Sequence, residues 1–574
     1  MKNNWWERKA VELQAAADNH DIKSLHDGLC IVYRPKVSGS TPLRTSDQST
    51  LLTEKTDILA RWAEHFKSVL NRDSTISEEA IASLPQLQMK ESLSDPPTSA
   101  EVIKAVKQTT PGKAPGADGI PADIYRNGGK ETRHPVIIPV GYHFFASHLA
   151  RVILNRLMTH IADSIIPESQ CGFRAGRGTS DMVFAVRQSQ EKCREQNQEL
   201  HLVFVDLTKA IDTVKRNGLW KILQKFGCPD KLTELIASFH NGMQARVQAN
   251  GDTSDPFQVR NGVKQGCVLA PTLFSILFAA MLLDAFHKCN RGVYIRFRTD
   301  GKLFNLQRLK AKTRVFEAIL RDFLFADDCA LVAHSHGDMQ YITDSFAVTC
   351  RRFGLTISLG KTEAMFQPSS SQAANAPPPL SIIISNTEIK TVDNFCYLGS
   401  TIMSSGSLGS CGLEHTSVLL RDMDRRHIKQ LEQFHQRCLR KICNIKWQDR
   451  VSNLQVLEKC DLPSIECLII KCQLRWTGHV IRMEDSRIPK MLLYGQLKEG
   501  HRDQGRPFKR YKDTLKVNLK RCNFDRLRNQ TGFYLFIVNE LSTSNVRSAV
   551  VWRMIIPPQV RRLKYLTGDV SSAD

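Results

Sequence analysis

Hydrophobic and polar positions change period several times along this chain, and each change predicts an element. Over "DILARWAEHFKSVL" the apolar residues Ile58, Leu59, Trp62, Phe66, Val69 and Leu70 recur at helical spacing, which predicts an amphipathic helix. The run "HLVFV", ending at Val205, and the runs "FLFA" and "CALVAH" on either side of Asp327 and Asp328 are unbroken apolar stretches of strand length. "CVLAPTLFSILFAAMLL", Cys267 to Leu283, is apolar on all sides. It carries Pro271 near its start, includes Thr272 and Ser275 and stops at Asp284, so it is expected as a buried core helix rather than a bilayer span. Between Pro97 and Ile402, short apolar runs alternate with amphipathic helices, an α+β pattern. Residues 1–96 read as a helical extension interrupted by loop signals such as "VSGSTP", and the chain beyond Met403 as mostly helical. The Ser, Ala and Pro-rich stretch from Gln367 to Pro379 is expected as a solvated loop, and no internal repeat is visible.

Composition narrows this picture. The 574 residues exceed what one ordinary core organises, and 42% apolar with 24% charged residues excludes wholesale disorder. The net charge is +21, and from Arg421 to Asp574 there are 31 Lys and Arg against 16 Asp and Glu, so this tail carries most of the excess. A basic stretch of that size suits a polyanion, most simply nucleic acid; solubilising surface charge is the plainer reading. None of the 16 cysteines forms a C-x-x-C pair, which leaves reduced thiols, many of them in cores, and no zinc pattern. The N-terminal "MKNNWWERKA" has no apolar signal region, so a nuclear or cytoplasmic protein that is neither secreted nor membrane-bound is expected.

Asp327 and Asp328 interrupt an apolar region where charge is costly. The lengths of the flanking runs predict a tight β-hairpin with Asp-Asp as its two-residue connection, and a turn aspartate by itself is ordinary. In "HLVFVDLTKAID", however, another apolar strand ends abruptly at Asp206. If the two strands are neighbours in one antiparallel sheet, Asp206 and Asp327 meet at the same edge. Two carboxylates about 4 Å apart repel by about 4 kcal/mol at an effective dielectric of about 20. Protonation or bound cations relieve that repulsion. Hard divalent ions suit oxygen ligands, and a pair of them can activate a hydroxyl and stabilise a leaving pyrophosphate.

Several blocks then occur in one order: "GKAPGADGIPADIY" (Gly112 to Tyr125), "IPESQCGFRAGRGTSD" (Ile166 to Asp181), "VDLTKAID" (Val205 to Asp212), "NGVKQGCVLAPTLFSILF" (Asn261 to Phe278), "FADD" (Phe325 to Asp328), "FGLTISLGKTE" (Phe353 to Glu363) and "FCYLGSTI" (Phe395 to Ile402). Residues 97–402 thereby resemble the reverse transcriptase domain of non-LTR, LINE-type retrotransposons, RTE-like elements among them. "RCLRKICNIKWQDRVSN", "LRWTGHVIRM" and "RDQGRPFKRYKD" resemble the region downstream of it. The resemblance implies a right-hand polymerase with fingers and an antiparallel palm sheet. It also implies RNA-templated DNA synthesis from dNTPs on a DNA primer or target, with two Mg²⁺ (or Mn²⁺) ions.

Carried over by position, the resemblance makes Asp206, Asp327 and Asp328 the catalytic, metal-holding carboxylates, Asp328 as the weaker or outer ligand. It places Gln265 and Gly266 at the nucleotide and template pocket, Arg174 on the triphosphate, and Lys361 as proton donor to pyrophosphate. Tyr397, Leu398 and Gly399 fall in the primer grip. Simpler readings stand beside these: a helix start for Gly266, a surface arginine, a solvated turn lysine, and core positions for Tyr397 and Leu398.

Three departures accompany the resemblance. Ile211 replaces an aromatic ring that packs beneath the sugar, which implies weaker deoxyribonucleotide selection. Residues 127–154 stand where a longer fingers region is expected, and residues 403–574 read as a shortened thumb followed by the basic helical region. Only about a hundred residues precede the first block, which implies a shortened copy without the endonuclease. The competing readings are a catalytically decayed nucleic-acid-binding remnant and a metal-dependent nuclease.

Overall fold

The computed structural model describes residues 8–15, 43–109 apart from 46, 48 and 74, residue 126, 142–406 apart from 250, 251, 265, 302 and 372–380, residues 425–500, 502 and 510–521. Gln265, the block at 112–125, residues 127–141 of the shortened segment and residues 407–424 lie outside the described residues.

The chain divides into two compact units. The first joins the segment ending at Asn71 with Gly242–Arg260. Its helix α1 (Lys55–Leu70) follows the predicted period, with Leu59 buried and Trp62 stacked on Phe66 at 5.9 Å. The Asn71 side chain donates to Gln258 O and accepts from Arg260 N, both at 2.8 Å. The division differs from a break near residue 96, because Ile76, Ala80, Ile81, Leu84 and Leu93 join the core of the second unit.

The second unit contains, in chain order, α2 (Ser99–Lys107), α3 (Tyr142–Leu157), α4 (Thr179–Glu195), β1 (Leu200–Val205), α5 (Arg216–Lys225), α6 (Ala270–Phe286), β2 (Val293–Phe297), β3 (Phe316–Leu320), β4 (Asp322–Phe325), β5 (Asp328–Ala333), α7 (His336–Arg352), β6 (Glu363–Gln367), β7 (Lys390–Thr391), β8 (Asn394–Tyr397), β9 (Ser400–Met403), α8 (Arg425–Ile442), α9 (Ile465–Arg482), α10 (Ile488–Tyr494), β10 (Gln496–Leu497) and α11 (Tyr511–Arg521), with shorter elements between them. The expected α+β class holds.

Its centre is a five-stranded sheet in the order β4-β5-β1-β6-β7, antiparallel except between β6 and β7. Both faces are covered, which is why the strand sequences are continuously apolar rather than alternating. Val203, Val205, Leu331 and Ala364 face one core with α6 and α7, while Leu202, Phe204, Ala330 and Met365 face the other with α4. Helix α6 is almost wholly buried, with Leu273, Phe274, Ile276, Leu277 and Phe278 inaccessible, as its unbroken apolar run predicts. No helix among the described residues is long and apolar enough to cross a membrane.

Helix α4 departs from its sequence. "TSDMVFAVRQSQEKCRE" looks like a solvated helix, yet Arg187, Gln188, Ser189, Gln190, Glu191 and Lys192 are buried. Long-range partners satisfy them: Gln190 Nε2 donates to Met403 O at 2.9 Å, Lys192 Nζ to Gly495 O at 2.7 Å, and Arg187 to Thr401 O. The C-terminal stretch supplies much of this cover. Strand β10 pairs with β2, Tyr511 and Leu515 enter the second core, and Arg510 meets Glu195 at 3.1 Å. Ile470, Leu474, Leu492, Leu493, Tyr511 and Leu515 are therefore part of the same core, and Lys512 is buried among them.

The two ends of the central strands contrast in chemistry. Where β1 begins and β5 ends stand His201, His334 and Cys193. His334 Nδ1 lies 3.0 Å from Glu199 O, and His201 packs on Phe366 at 4.8 Å. Desolvation, reinforced by His336 and His334, pushes the His201 imidazole down to about 4.

Candidate active site

At the other end, β1 stops and the β4–β5 hairpin turns. Strands β1 and β5 pair as far as Val205 opposite Cys329, so Asp206 follows the last paired residue of β1 and Asp328 precedes the last paired residue of β5. The hairpin itself corrects one expectation. Phe325 pairs with Asp328, so the two-residue loop is Ala326-Asp327 and Asp328 already belongs to β5. Asp327 therefore sits in the turn, immediately before Asp328.

Electrostatics agree with this convergence. Partial desolvation first, then the charges of Asp327 and Asp206, raise the Asp328 carboxyl above its ordinary range although the residue is exposed. A cation stands close by: Lys361 Nζ lies 3.8 Å from Asp206 Oδ2, and its side chain is 75% exposed. The turn carrying it is docked on Asp206: Ser358 N donates to Asp206 O at 2.8 Å, and Asp206 N donates to Thr362 Oγ1 at 3.3 Å. Lys361 is thus brought to the carboxylates, while Ser358 and Thr362 do holding work that its own motif concealed.

Four other expected residues make contacts within the protein. Arg174 is only 9% exposed, and its Nη1 donates to Pro167 O at 3.0 Å and Gln170 O at 3.4 Å, which commits the guanidinium to bracing its own loop rather than meeting a triphosphate. Tyr397 is a core residue. It packs against Phe204 at 5.6 Å and donates its hydroxyl to Phe323 O at 2.9 Å, so it supports β4 from below instead of facing a primer. Leu398 and Gly399 form the two-residue loop between β8 and β9, both at positive φ as a type I′ turn requires, and Leu398 is partly packed into the second core.

Ile211 is half-buried against the first core, and Val263 N donates to its carbonyl at 3.3 Å, so the "NGVKQG" segment runs alongside it. Gly266 has φ +84° and open space where a side chain would stand; it lies in a turn four residues before α6, which corrects its expected place at a helix start. Gln265 lies outside the described residues.

Among the described residues no group of three or more His, Cys, Asp and Glu side chains is arranged to hold a metal ion by itself. The donor chemistry nonetheless fits a hard cation. Magnesium keeps most of its shell as water and substrate phosphate and takes only one or two carboxylates from a protein, which is what an open cluster at a sheet edge offers.

Residues 142–402 match the family model for reverse transcriptase, an RNA-dependent DNA polymerase. The chain is 36% identical over 134 residues to the RNA-directed DNA polymerase from mobile element jockey of Drosophila funebris, covering 23% of this chain and 14% of that protein. It is 24% identical over 248 residues to the Pol polyprotein from type-1 retrotransposable element R2 of Popillia japonica, covering 42% of this chain and 37% of that protein. Among solved structures, the telomerase of Candida Tropicalis with a fragment of telomeric RNA is similar over 69% of this chain and 56% of that one, at 12% identity and a TM-score of 0.29. The chain thus spans well under half the length of these curated relatives. The ordered motifs, the carboxylate-bearing sheet and the family model thus meet in residues 142–402, which form a reverse transcriptase domain similar to those of non-LTR retrotransposon proteins.

Proposed function

We propose that this chain catalyses RNA-templated DNA synthesis, joining dNTPs to a primer 3′-hydroxyl with release of pyrophosphate. The observation that supports the reading is the β1–β5 ladder, which ends one residue short of Asp206 and Asp328, with Asp327 in the adjoining turn and the charges of Asp327 and Asp206 both acting on Asp328. Three carboxylates, with the exposed Lys361 beside Asp206, make a cluster whose repulsion a divalent cation relieves. Asp206 and Asp327 are the proposed holders of two Mg²⁺ or Mn²⁺ ions, with Asp328 as an outer ligand. Bound there, the ions would supply charge neutralisation at the attacking and leaving oxygens. Lys361, at the rim beside Asp206, is placed to give a proton to the departing pyrophosphate. Ile211 offers the sugar an aliphatic surface where a ring would give flat contact.

A template and primer need a grip as well as a reaction centre. Helix α8 and the turn after it expose Lys429, Arg437, Lys441, Lys446 and Arg450 around Phe434, 62% exposed, and Trp447, 84% exposed. Cations interleaved with open aromatic faces suit a nucleic-acid strand, through phosphate contacts and base stacking.

Primer extension on an RNA template, comparing the parent with Asp327→Asn, tests the proposal. Extension by the parent and its loss in the variant support it. Silence from both, with salt-sensitive RNA binding retained, would identify a non-catalytic remnant; cleavage without extension would identify a nuclease.

A further inference from the structure

We propose that Gln170 is a positioning residue that sets the geometry of the carboxylate turn. Its side chain is wholly inaccessible to solvent, and all its recorded hydrogen bonds go to backbone. Oε1 accepts from Ala326 N and from Gly172 N, each at 2.9 Å, and Nε2 donates to Ala326 O at 2.9 Å. One amide therefore holds both the N–H and the C=O of the residue that precedes Asp327. The peptide plane joining Ala326 to Asp327 is fixed by the second of these bonds.

Ala326 needs such a hold. It has φ +60°, a left-handed conformation that costs a non-glycine residue roughly 1–2 kcal/mol and persists where surrounding structure enforces it. Ser169 O accepts from Leu324 N and Cys171 N donates to Leu324 O, both at 2.9 Å, so residues 169–171 run beside β4 as a short parallel buttress. From that buttress the Gln170 side chain reaches past the end of β4 to the turn. Gly172 lies so close to Ala326 that a Cβ there would collide with its backbone nitrogen. The buttress is braced in turn by Arg174 on Pro167 O and Gln170 O, and by Arg487, whose guanidinium meets Glu168 at 2.5 Å and Asp181 at 2.6 Å. A block of sequence whose arginine does not reach the site thus acts on it through a glutamine.

The inference rests on the reading of Asp327 as a catalytic carboxylate, and its test separates the two. Gln170→Met removes the three bonds at nearly constant volume. Gln170→Glu keeps the acceptor, and its carboxyl can donate to Ala326 O only when protonated. Three quantities are measured on the full chain for parent, Gln170→Met, Gln170→Glu and Asp327→Asn: amide hydrogen exchange in peptides covering 323–330, Mn²⁺ binding by electron paramagnetic resonance, and primer extension per active site.

For Gln170→Met the expected result is faster exchange confined to the turn, Mn²⁺ binding weakened about tenfold, and kcat lowered about 10- to 100-fold with KM for the primer–template within about twofold. In Gln170→Glu the kcat deficit should shrink as pH falls and the carboxyl regains a donor, a signature that a merely space-filling glutamine would not produce. If Gln170→Met fails to fold, the pH profile of Gln170→Glu decides. A parent that extends primers and binds Mn²⁺, beside Gln170 variants that match it in turn exchange and kcat, overturns the positioning role alone. A parent that neither extends nor binds Mn²⁺ overturns the catalytic reading of Asp327, and the positioning role with it.

Discussion

The central sheet carries ionisable groups at both ends of the same two strands, and the ends behave in opposite ways. At one end Asp206, Asp327 and Asp328 keep access to solvent, and burial together with mutual repulsion only raises the Asp328 carboxyl. At the other, His201 is packed under Phe366 and beside His336, and desolvation holds it neutral well below its ordinary range. Equivalent positions on one backbone ladder thus become an open, charge-hungry cluster or a quiet part of the core. What separates them is exposure: Asp206 and Asp327 are half-buried and Asp328 is exposed, whereas His201 is buried, with His336 at the start of α7 packed beside it. Repulsion left standing at an accessible edge is a usable attraction for cations. The same ionisable chemistry, once buried, is only a liability under acid.

Abolishing the acidic end should have the largest effect. Asp327→Asn is expected to lower primer extension by about 10³-fold, which is ~4 kcal/mol of transition-state stabilisation, without lowering the melting temperature. Retained extension would remove this turn from the chemistry. Next comes the histidine end. Because folding lowers the His201 pKa from 6.5 to about 4, the unfolded chain binds more protons between those values, so stability present at neutral pH is lost as pH falls through that window. His201→Phe should flatten that decline by on the order of 3 kcal/mol in urea titrations at successive pH values. An unchanged pH dependence would mean that the site is not dry.

A subtler change sharpens the acidic end. Ile211→Phe should raise discrimination against ribonucleotides about tenfold, ~1.4 kcal/mol, measured as the ratio of kcat/KM for dNTP and rNTP. A parent that already rejects ribonucleotides strongly would show that Ile211 does not set sugar selection. The smallest effect concerns stability without metal. The raised Asp328 pKa means that its penalty is absent below the unfolded value and grows as pH rises, so Asp328→Asn should melt roughly 1–2 °C higher than the parent at pH 7 in chelator and no higher at pH 3. Equal melting at both pH values would indicate that the three carboxylates do not repel in solution.

The elements were legible where a local pattern specifies them. Helical spacing marks α1, unbroken apolarity marks α6 as buried, and three aspartates at the ends of apolar runs mark the candidate site. The register of the hairpin was misjudged by one residue, since a turn of Ala-Asp and one of Asp-Asp differ by a shift that hydrophobic pattern cannot resolve when both faces of a sheet are buried. Gln170 left no trace of its work, because a buried polar residue in a loop looks like any solvated glutamine until its partners are known.

The sequence by itself determined periodicity, the apolar mass of α6 and the order of the acidic residues, since these depend on neighbours within a few turns of helix or strand. Only the tertiary structure decided which strands adjoin, and with that which carboxylates meet. It also buried the polar helix α4, through Lys192 on Gly495 O and Gln190 on Met403 O, and turned Arg174 and Tyr397 from surface tasks to support. A polar group enters a core when distant backbone satisfies its hydrogen bonds, and contacts two or three hundred residues apart leave no mark on local pattern.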